Sequence, residues 1–372
     1  MARLRIPPHI LTALGAASPA IYGSWFALNK CEASAKTDSR SRIVFLGTGS
    51  STGCPRPLCP MIFQPNQSKK QEETTETKAM KERLAPFCKV SNLAIEGDPK
   101  TNKNYRNNPS LVIAFDDNGV QKHVLIDCGK TFREGALRWF PTLGINSLDA
   151  VVLTHEHADA AFGLDDVRGF QRTEGGFAGN SQFRQVPMPL YVSQQCLNEI
   201  AERFPWLFPE LQSRADIAPV DKAVVKRHVA SLDVHVMEPF KAVNIEGLEI
   251  IPLPVMHGED LVSFGYAFTV GQTNVVYLSD ISRMLPETLA FISKSRPPTD
   301  ILVVDALHPT RDNPVHFSLN DAVNLVNEIK PRRTFVVGMN CDSFLPHDQA
   351  NKDLRDSYVN IQLAYDGQVV EC

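Results

Sequence analysis

Apolar runs in this chain are short, and several of them end in chemistry. Ala150-Val151-Val152-Leu153 is followed at once by Thr154-His155-Glu156-His157-Ala158-Asp159. A short apolar run bounded by ligand-type residues reads as a buried strand that delivers a site at its end. Arg42 to Leu46 is a first strand, closed by Gly47-Thr48-Gly49-Ser50-Ser51, where glycine lets the backbone turn tightly. Ser110 to Phe115 and His123 to Ile126 predict a hairpin around Asp116-Asp117-Asn118-Gly119, and Asp127-Cys128-Gly129 follows its second strand.

Further along, strands are predicted at Pro189 to Val192, Val234 to Met237, Leu248 to Leu253, Ser263 to Val270, Asn274 to Leu278, Ile301 to Val304 and Thr334 to Val337. Helical spacing appears at Thr131 to Phe140, with Phe132, Ala136, Leu137 and Phe140 on one side and Pro141 ending it. Gly163 to Phe170, Gln194 to Phe204 and Leu319 to Ile329 also read as helices, and Asp165, Asp166 and Arg168 on the first of these either support a site or are solvated. Strand-rich and mixed segments occur in both halves, which predicts two βα layers packed as a sandwich with helices outside. Between Cys59 and Asn108 the pattern dissolves into a charged run, Ser68 to Arg83, expected as a solvated insertion that is partly helical or disordered.

Composition narrows the class. A hydrophobic share of 43% and a net charge of −4 describe a globular chain without an overall basic field, which counts against nucleic acid as a partner. Eight cysteines scattered over 372 residues are not a disulfide framework. The start is different: Arg3 and Arg5 precede a charge-free run from Ile6 to Asn29, with no acid before Glu32. This favours an organellar presequence, mitochondrial or plastid, over a secretory signal or a membrane anchor. Residues 1–41 are therefore a targeting or anchor segment with its linker, and any membrane contact would run through them. Residues 42–372 form the folded domain, with the insertion at about 59–108.

The chemistry lies at the strand ends. His155 and His157 are two apart, and Asp159 repeats the spacing. Two imidazoles and a carboxylate within five residues can hold a zinc-class metal. His257, Asp280 and Asp305 each follow an apolar run, and His316 precedes a helix. Several such residues in one chain are best explained by strands converging on one site with an open water position.

In combination these motifs resemble the metallo-β-lactamase fold superfamily, and most of all its phosphodiesterase branch. That branch includes ribonuclease Z-like hydrolases and the phosphoribosyl cyclic phosphate phosphodiesterases. The matching segments are Thr154 to Asp159, Phe45 to Gly49, Asn108 to Leu111, Leu125 to Gly129, Gly163 to Asp166, Pro254 to His257, Leu278 to Asp280, His316 to Leu319 and Gly338-Met339. The resemblance spans about Arg42 to Asp353 and implies an α/β fold, a four-layer αββα sandwich of two mixed β-sheets. It implies that His155, His157 and His257 bind one metal, that Asp280 bridges, that Asp159 serves a second metal, and that His316 donates a proton or holds a phosphate. Relatives often pair, which makes a homodimer one open expectation.

Two departures stand out. Ala160 and Gly338 occupy positions where the family carries second-metal histidines. One catalytic metal, zinc or manganese, is therefore expected rather than two, with Asp159 freed to orient or deprotonate water. The resemblance further implies a structural zinc at Cys59, Cys88 and Cys341, with Cys54 or His347 as fourth ligand and Ser91 replacing an expected cysteine. The expected function is metal-dependent hydrolysis of a small phosphodiester, linear or cyclic, by a metal-activated hydroxide. Rival readings are a thioester or lactone hydrolase, an RNA-processing nuclease and a non-catalytic zinc scaffold.

Overall fold

The computed structural model describes residues 41–63, 74–174, 184–211 and 229–372. The N-terminal segment up to residue 40 and the first part of the charged run lie outside the described residues. No helix among the described residues is long and apolar enough to cross a membrane.

The first half runs β1 (Arg42–Gly47), α1 (Leu58–Phe63), α2 (Thr75–Ala94), β2 (Ser110–Asp117), β3 (Val120–Ile126), α3 (Phe132–Leu143), β4 (Ala150–Val152) and α4 (Ala158–Ala161). A 3-10 turn over Leu164–Phe170, a small ribbon of β5 (Thr173–Glu174) and β6 (Arg184–Gln185), then β7 (Met188–Val192), α5 (Gln194–Arg203) and β8 (Leu232–Val236) follow. The second half is β9 (Val243–Ile245), β10 (Leu248–His257), β11 (Leu261–Val270), β12 (Thr273–Leu278), α6 (Pro286–Lys294), β13 (Ile301–Asp305), α7 (Leu319–Ile329), β14 (Arg333–Val337), α8 (His347–Ser357), β15 (Ile361–Leu363) and β16 (Val369–Glu371).

The strands make two seven-stranded mixed sheets, ordered β16-β1-β2-β3-β4-β7-β8 and β15-β14-β13-β12-β11-β10-β9. Alternation along each strand decides the layers. Ile43 and Phe45 of β1 join Ile113, Tyr266, Phe268, Tyr277 and Phe335 in the core between the sheets. Val44 and Leu46, pointing the other way, meet Phe132, Ala136, Trp139 and Phe140 of α3 and Ile200 of α5. On the far side, Leu253, Leu278, Leu302 and Val336 pack under Ile292, Leu325, Val326 and Leu354 of the second sheet's helices. The result is the expected αββα sandwich, with each fully buried side chain contributing roughly 1.5–3 kcal/mol.

Strand direction sets where the site can form. β10 and β12 both pair antiparallel with β11, and β12, β13 and β14 are mutually parallel. The C-terminal ends of β10, β12, β13 and β14 therefore lie on one rim, and they end at His257, near Asp280, at Asp305 and before Gly338. In the other sheet β3, β4 and β7 are parallel, so Asp127 and His155 follow strands that end together. Phe264 N–H donates to Thr154 O at 2.9 Å and the Tyr266 hydroxyl donates to Leu153 O, tying the two rims together.

Several predicted details change. Pro141 does not end α3; Gly144, at φ 70°, does, with its N–H bonded to Phe140 O. The carbonyl that Pro141 leaves without a donor belongs to Leu137, an exposed residue that water can serve. Leu137 is thus not on the buried face, and Trp139 takes its place. The eighth strand is Leu232–Val236 rather than Val234 to Met237, its register fixed by pairing with β7. The insertion carries a 20-residue helix, α2, which reaches the body of the protein through Val90 and Ala94 packed with Cys54 and Cys341, and through Cys88 against Cys59. Its mixed, charge-rich pattern hides this, because only part of its length finds a partner.

Candidate metal centre

β4 ends at Val152, and the chain turns through Leu153 to His157, whose carbonyl accepts the N–H groups of Ala160 and Ala161 and so starts α4. That turn delivers His155 and His157 to the rim, and the last residue of β10 delivers His257. The three rings meet edge to face, with centroids 4.6 Å, 5.0 Å and 5.1 Å apart. Their ligand atoms all lie within 4.8 Å of one another. A second group, His257, Asp280 and His316, meets the same test and shares His257.

The nitrogens fit a cation. His257 Nδ1 is 2.7 Å from Val315 O, so its proton is committed there and Nε2 keeps a lone pair. That Nε2 lies 3.2 Å from His157 Nδ1, close to the ~3.3 Å that separates two nitrogens on one tetrahedral zinc. His155 Nε2 is buried with no hydrogen-bond partner among the described residues. One shared proton could serve the first pair but not this third nitrogen; a zinc-class ion serves all three. Burial and the neighbouring imidazoles push His155 and His157 below their ordinary range, which keeps them neutral and able to ligate.

Asp280 follows β12 in the left-handed region, at φ 50°, which aims its carboxylate back over the rim at a conformational cost. Asp159, on α4, lines the same cavity. Burial and the Asp280 carboxylate raise Asp159 to about 6. Burial opposes a charge on His316. The Asp305 carboxylate, bonded to its Nδ1 at 2.7 Å, and Asp280 outweigh that and raise it to about 9. With Nδ1 engaged, His316 presents its other nitrogen to the cavity.

The cavity, about 360 Å³, is walled by Ser51, Glu156, His157, Asp159, Gln195, His257, Asp260, Leu261, Asp280, Val315 and His316. Among the described residues, its walls hold four carboxylates and neither lysine nor arginine. The structure thus gathers His155, His157, His257, Asp159, Asp280 and His316 at one place. Asp165, Asp166 and Arg168 stay outside it, at the surface of the 3-10 turn. Sequence reasoning gave no role to Glu156 inside the opening motif, and missed Gln195 and Asp260, which no pattern marks, and the pairing of Asp305 with His316. Gly338 gains a reason: at φ 76°, a Cβ there would overlap the Asp305 carboxylate. The position that lacks a second-metal histidine is filled by the acid that holds His316.

The cysteines behave differently. Cys54 contacts Cys341, and Cys59 contacts Cys88. Ser91 Oγ donates to Cys341 Sγ at 3.1 Å. Cys54, Ser91 and Arg56 draw Cys341 down to about 6 against its burial. Among the described residues, Cys59, Cys88 and Cys341 do not form a set with all ligand atoms within 4.8 Å. His347 bonds Asn351 at 2.8 Å through Nε2.

Known proteins agree with this architecture. Residues 122–339, more than half of the chain, match the family described as the beta-lactamase superfamily domain. A solved diphosphatase of the PhnP family is similar at 27% identity, with 90% of this chain and 97% of that one covered and a TM-score of 0.61. Zinc-bound PqqB from Methylobacterium extorquens shares the fold at 16% identity, covering 89% and 100%, with a TM-score of 0.57. Human tRNase Z, short form, does so at 14%, covering 88% and 98%, with a TM-score of 0.50. A curated octanoyltransferase of Porphyromonas gingivalis is 26% identical over 288 residues, which are 77% of this chain. The chain spans 44% of that relative's length.

Proposed function

The chain belongs to the beta-lactamase superfamily, and on that premise we propose that it is a metal-dependent phosphodiesterase acting on a small phosphodiester. His155, His157 and His257 would hold a single zinc ion, which manganese can replace, with Asp280 beside it. Such an ion supplies Lewis acidity, bringing the pKa of its water toward ~7 and polarising a phosphoryl oxygen. Asp159, two residues beyond His157 and lining the cavity, would orient an attacking water and accept its proton.

One observation favours an oxygen leaving group over a thiolate: Asp305 holds His316 by Nδ1 at 2.7 Å, so its other nitrogen serves the cavity as a proton donor. An alkoxide leaving from phosphorus needs that proton, worth roughly 10²–10⁴-fold in rate, whereas a thiolate leaves readily without it. The acidic wall formed by Glu156 and Asp260 argues for a small substrate rather than an RNA chain, whose phosphates ask for lysine and arginine. Similarity to a diphosphatase is consistent with hydrolysis at a disubstituted phosphorus.

The test is His316→Ala assayed on bis-p-nitrophenyl phosphate and on a diester with an alkyl leaving group. The expected result is a loss at least ten-fold larger on the alkyl ester. Equal losses on both would remove His316 as the donor. A second reading, thioester hydrolysis, draws on the curated relative's name, which concerns acyl transfer. Turnover of an acyl thioester exceeding that of every diester tested would replace the first reading with the second. We also keep the structural zinc at Cys59, Cys88 and Cys341 as a proposal, since the thiol pairs and Ser91 occupy one locality beside α2.

A further inference from the structure

We propose that Arg56 and Arg311 form a second anion subsite beside the cavity, one that takes a terminal phosphate or carboxylate carried by the substrate away from the diester. The inference rests on the reading of the cavity as a phosphodiesterase site and narrows its substrate class.

Three loops meet at this corner of the rim. The loop after β1 gives Ser51 to the cavity wall and carries Arg56 further on. The loop after β13 gives Val315 and His316 to the wall and carries Arg311. That second loop is closed at its base, since Leu307 N–H donates to Phe317 O at 2.9 Å and Leu319 N–H to His308 O at 2.8 Å. The segment after β14 laces the two together. Gly49 bridges to Met339, Asn340 N–H donates to Leu307 O at 3.1 Å, and Arg56 Nη2 donates to Asn340 Oδ1 at 2.6 Å. Both arginines are therefore tied to the backbone that places His316.

The two guanidiniums share one acid. An Asp342 oxygen lies 3.1 Å from Arg56 Nη1, and its other oxygen is 4.0 Å from Arg311 Nη2. That second oxygen, Oδ1, is buried with no hydrogen-bond partner among the described residues. Arg311 also rests Nη2 against the His308 ring, whose Nδ1 is 2.7 Å from Ser343 Oγ. Burial and then Arg311 lower His308, so the ring adds no charge of its own. Two cations against one carboxylate leave a positive charge unmatched. Asp312, next in the chain, is exposed and contacts neither arginine among the described residues. The contacts that Arg311 makes among these residues all use Nη2, which leaves Nε and Nη1 open on a side chain that is 62% exposed. A guanidinium in that state suits the paired oxygens of a phosphate or carboxylate.

The cavity makes the same demand. Glu156 and Asp260 on its wall repel a phosphodiester rather than attract it. A second anionic group seated on the arginines supplies the attraction that the wall lacks.

The experiment uses the zinc-loaded protein and alkanediol bisphosphates of graded length, with propyl phosphate as the comparison. Calorimetry should show the best-fitting bisphosphate binding about 10–100-fold tighter than propyl phosphate. Arg311→Ala should remove most of that gain, and Arg311→Lys should restore part of it. Asp342→Asn frees both guanidiniums and should tighten the bisphosphate further, a gain that a misfolded variant could not produce. Equal affinity for bisphosphate and monophosphate at every length, or a gain that survives Arg311→Ala, would overturn the subsite. Turnover of p-nitrophenyl diesters tests the premise separately. Arg311→Ala should raise KM on a diester with a phosphorylated arm at least ~10-fold more than on its propyl counterpart. If the bisphosphate binds through Arg311 and no diester is hydrolysed, it is the phosphodiesterase reading that fails.

Discussion

Three imidazoles on the sheet rim and four thiols beside the insertion helix are both collections of ligand-type side chains from distant segments. On the rim, ring centroids are 4.6–5.1 Å apart and every nitrogen that could ligate is either bare or shared. Beside α2 the thiols settle into two pairs, Cys54 with Cys341 and Cys59 with Cys88. The protein's own groups also complete the first of these, since Ser91 bonds Cys341. The rim residues sit at the ends of strands whose register is fixed on both sides. The thiols sit on a loop, a short helix and a long helix that touches the body along part of its length. Convergence follows from the ladder in the first case and depends on packing in the second.

The largest break in this comparison comes from emptying each site in turn. His257→Ala should abolish bound metal at the rim and lower hydrolytic activity roughly 10³-fold or more. Cys341→Ser should leave the rim ion and activity close to wild type. Zinc measured per chain on both variants separates the two. A further drop of one zinc in Cys341→Ser assigns an ion to the thiols, and an unchanged ratio assigns them to packing.

Next in size is Gly338→Ala. The added methyl would overlap the Asp305 carboxylate at a backbone φ of 76° that alanine resists. Chemical denaturation should show a loss of ~2–4 kcal/mol. Activity of the folded fraction should fall by a factor similar to that of His316→Ala, because Asp305 no longer holds the imidazole. Wild-type stability in Gly338→Ala would mean that Asp305 has another place to go.

The smallest effect sharpens the contrast between histidines built to ligate and histidines built to pack. Burial, then Arg42, lowers His123 to about 4, and burial, then Arg106 and Lys103, lower His347 to about 3. Both folded values lie below the unfolded ~6.5. The neutral rings therefore contribute stability that is complete above pH ~6.5 and is lost as pH falls toward 4 and then 3. Between pH 7.5 and 5 each should cost roughly 1–2 kcal/mol in denaturant unfolding. His123→Leu should flatten part of that slope, and a slope unchanged in this variant would remove His123 from the account.

Much of this was legible before any coordinates. The short strands ending in His155, His257, Asp280 and Asp305 were readable because a buried strand announces itself by a dense apolar run and its end by an abrupt change of polarity. The site was legible for the same reason. What was misread involves residues whose role depends on a neighbour far away. Pro141 looks like a stop, yet the helix passes through it because Leu137 faces water. Gly338 looks like a lost ligand, yet the space it leaves holds the Asp305 carboxylate. The insertion is read as partly helical or disordered, and its 20-residue helix bears out the first; the positions where it touches the core are masked by its charged exposed face.

The sequence by itself determined the sandwich and the chemical character of its rim, since periodicity and the residues after each strand are local properties. Only the tertiary structure decided which nitrogen of each histidine is free, that Asp305 serves His316, and that Glu156 and Asp260 leave the cavity wall acidic. Those facts depend on hydrogen bonds and contacts between residues 11 to 100 positions apart. Such partners are chosen by sheet register and strand direction, which a single strand's pattern does not carry.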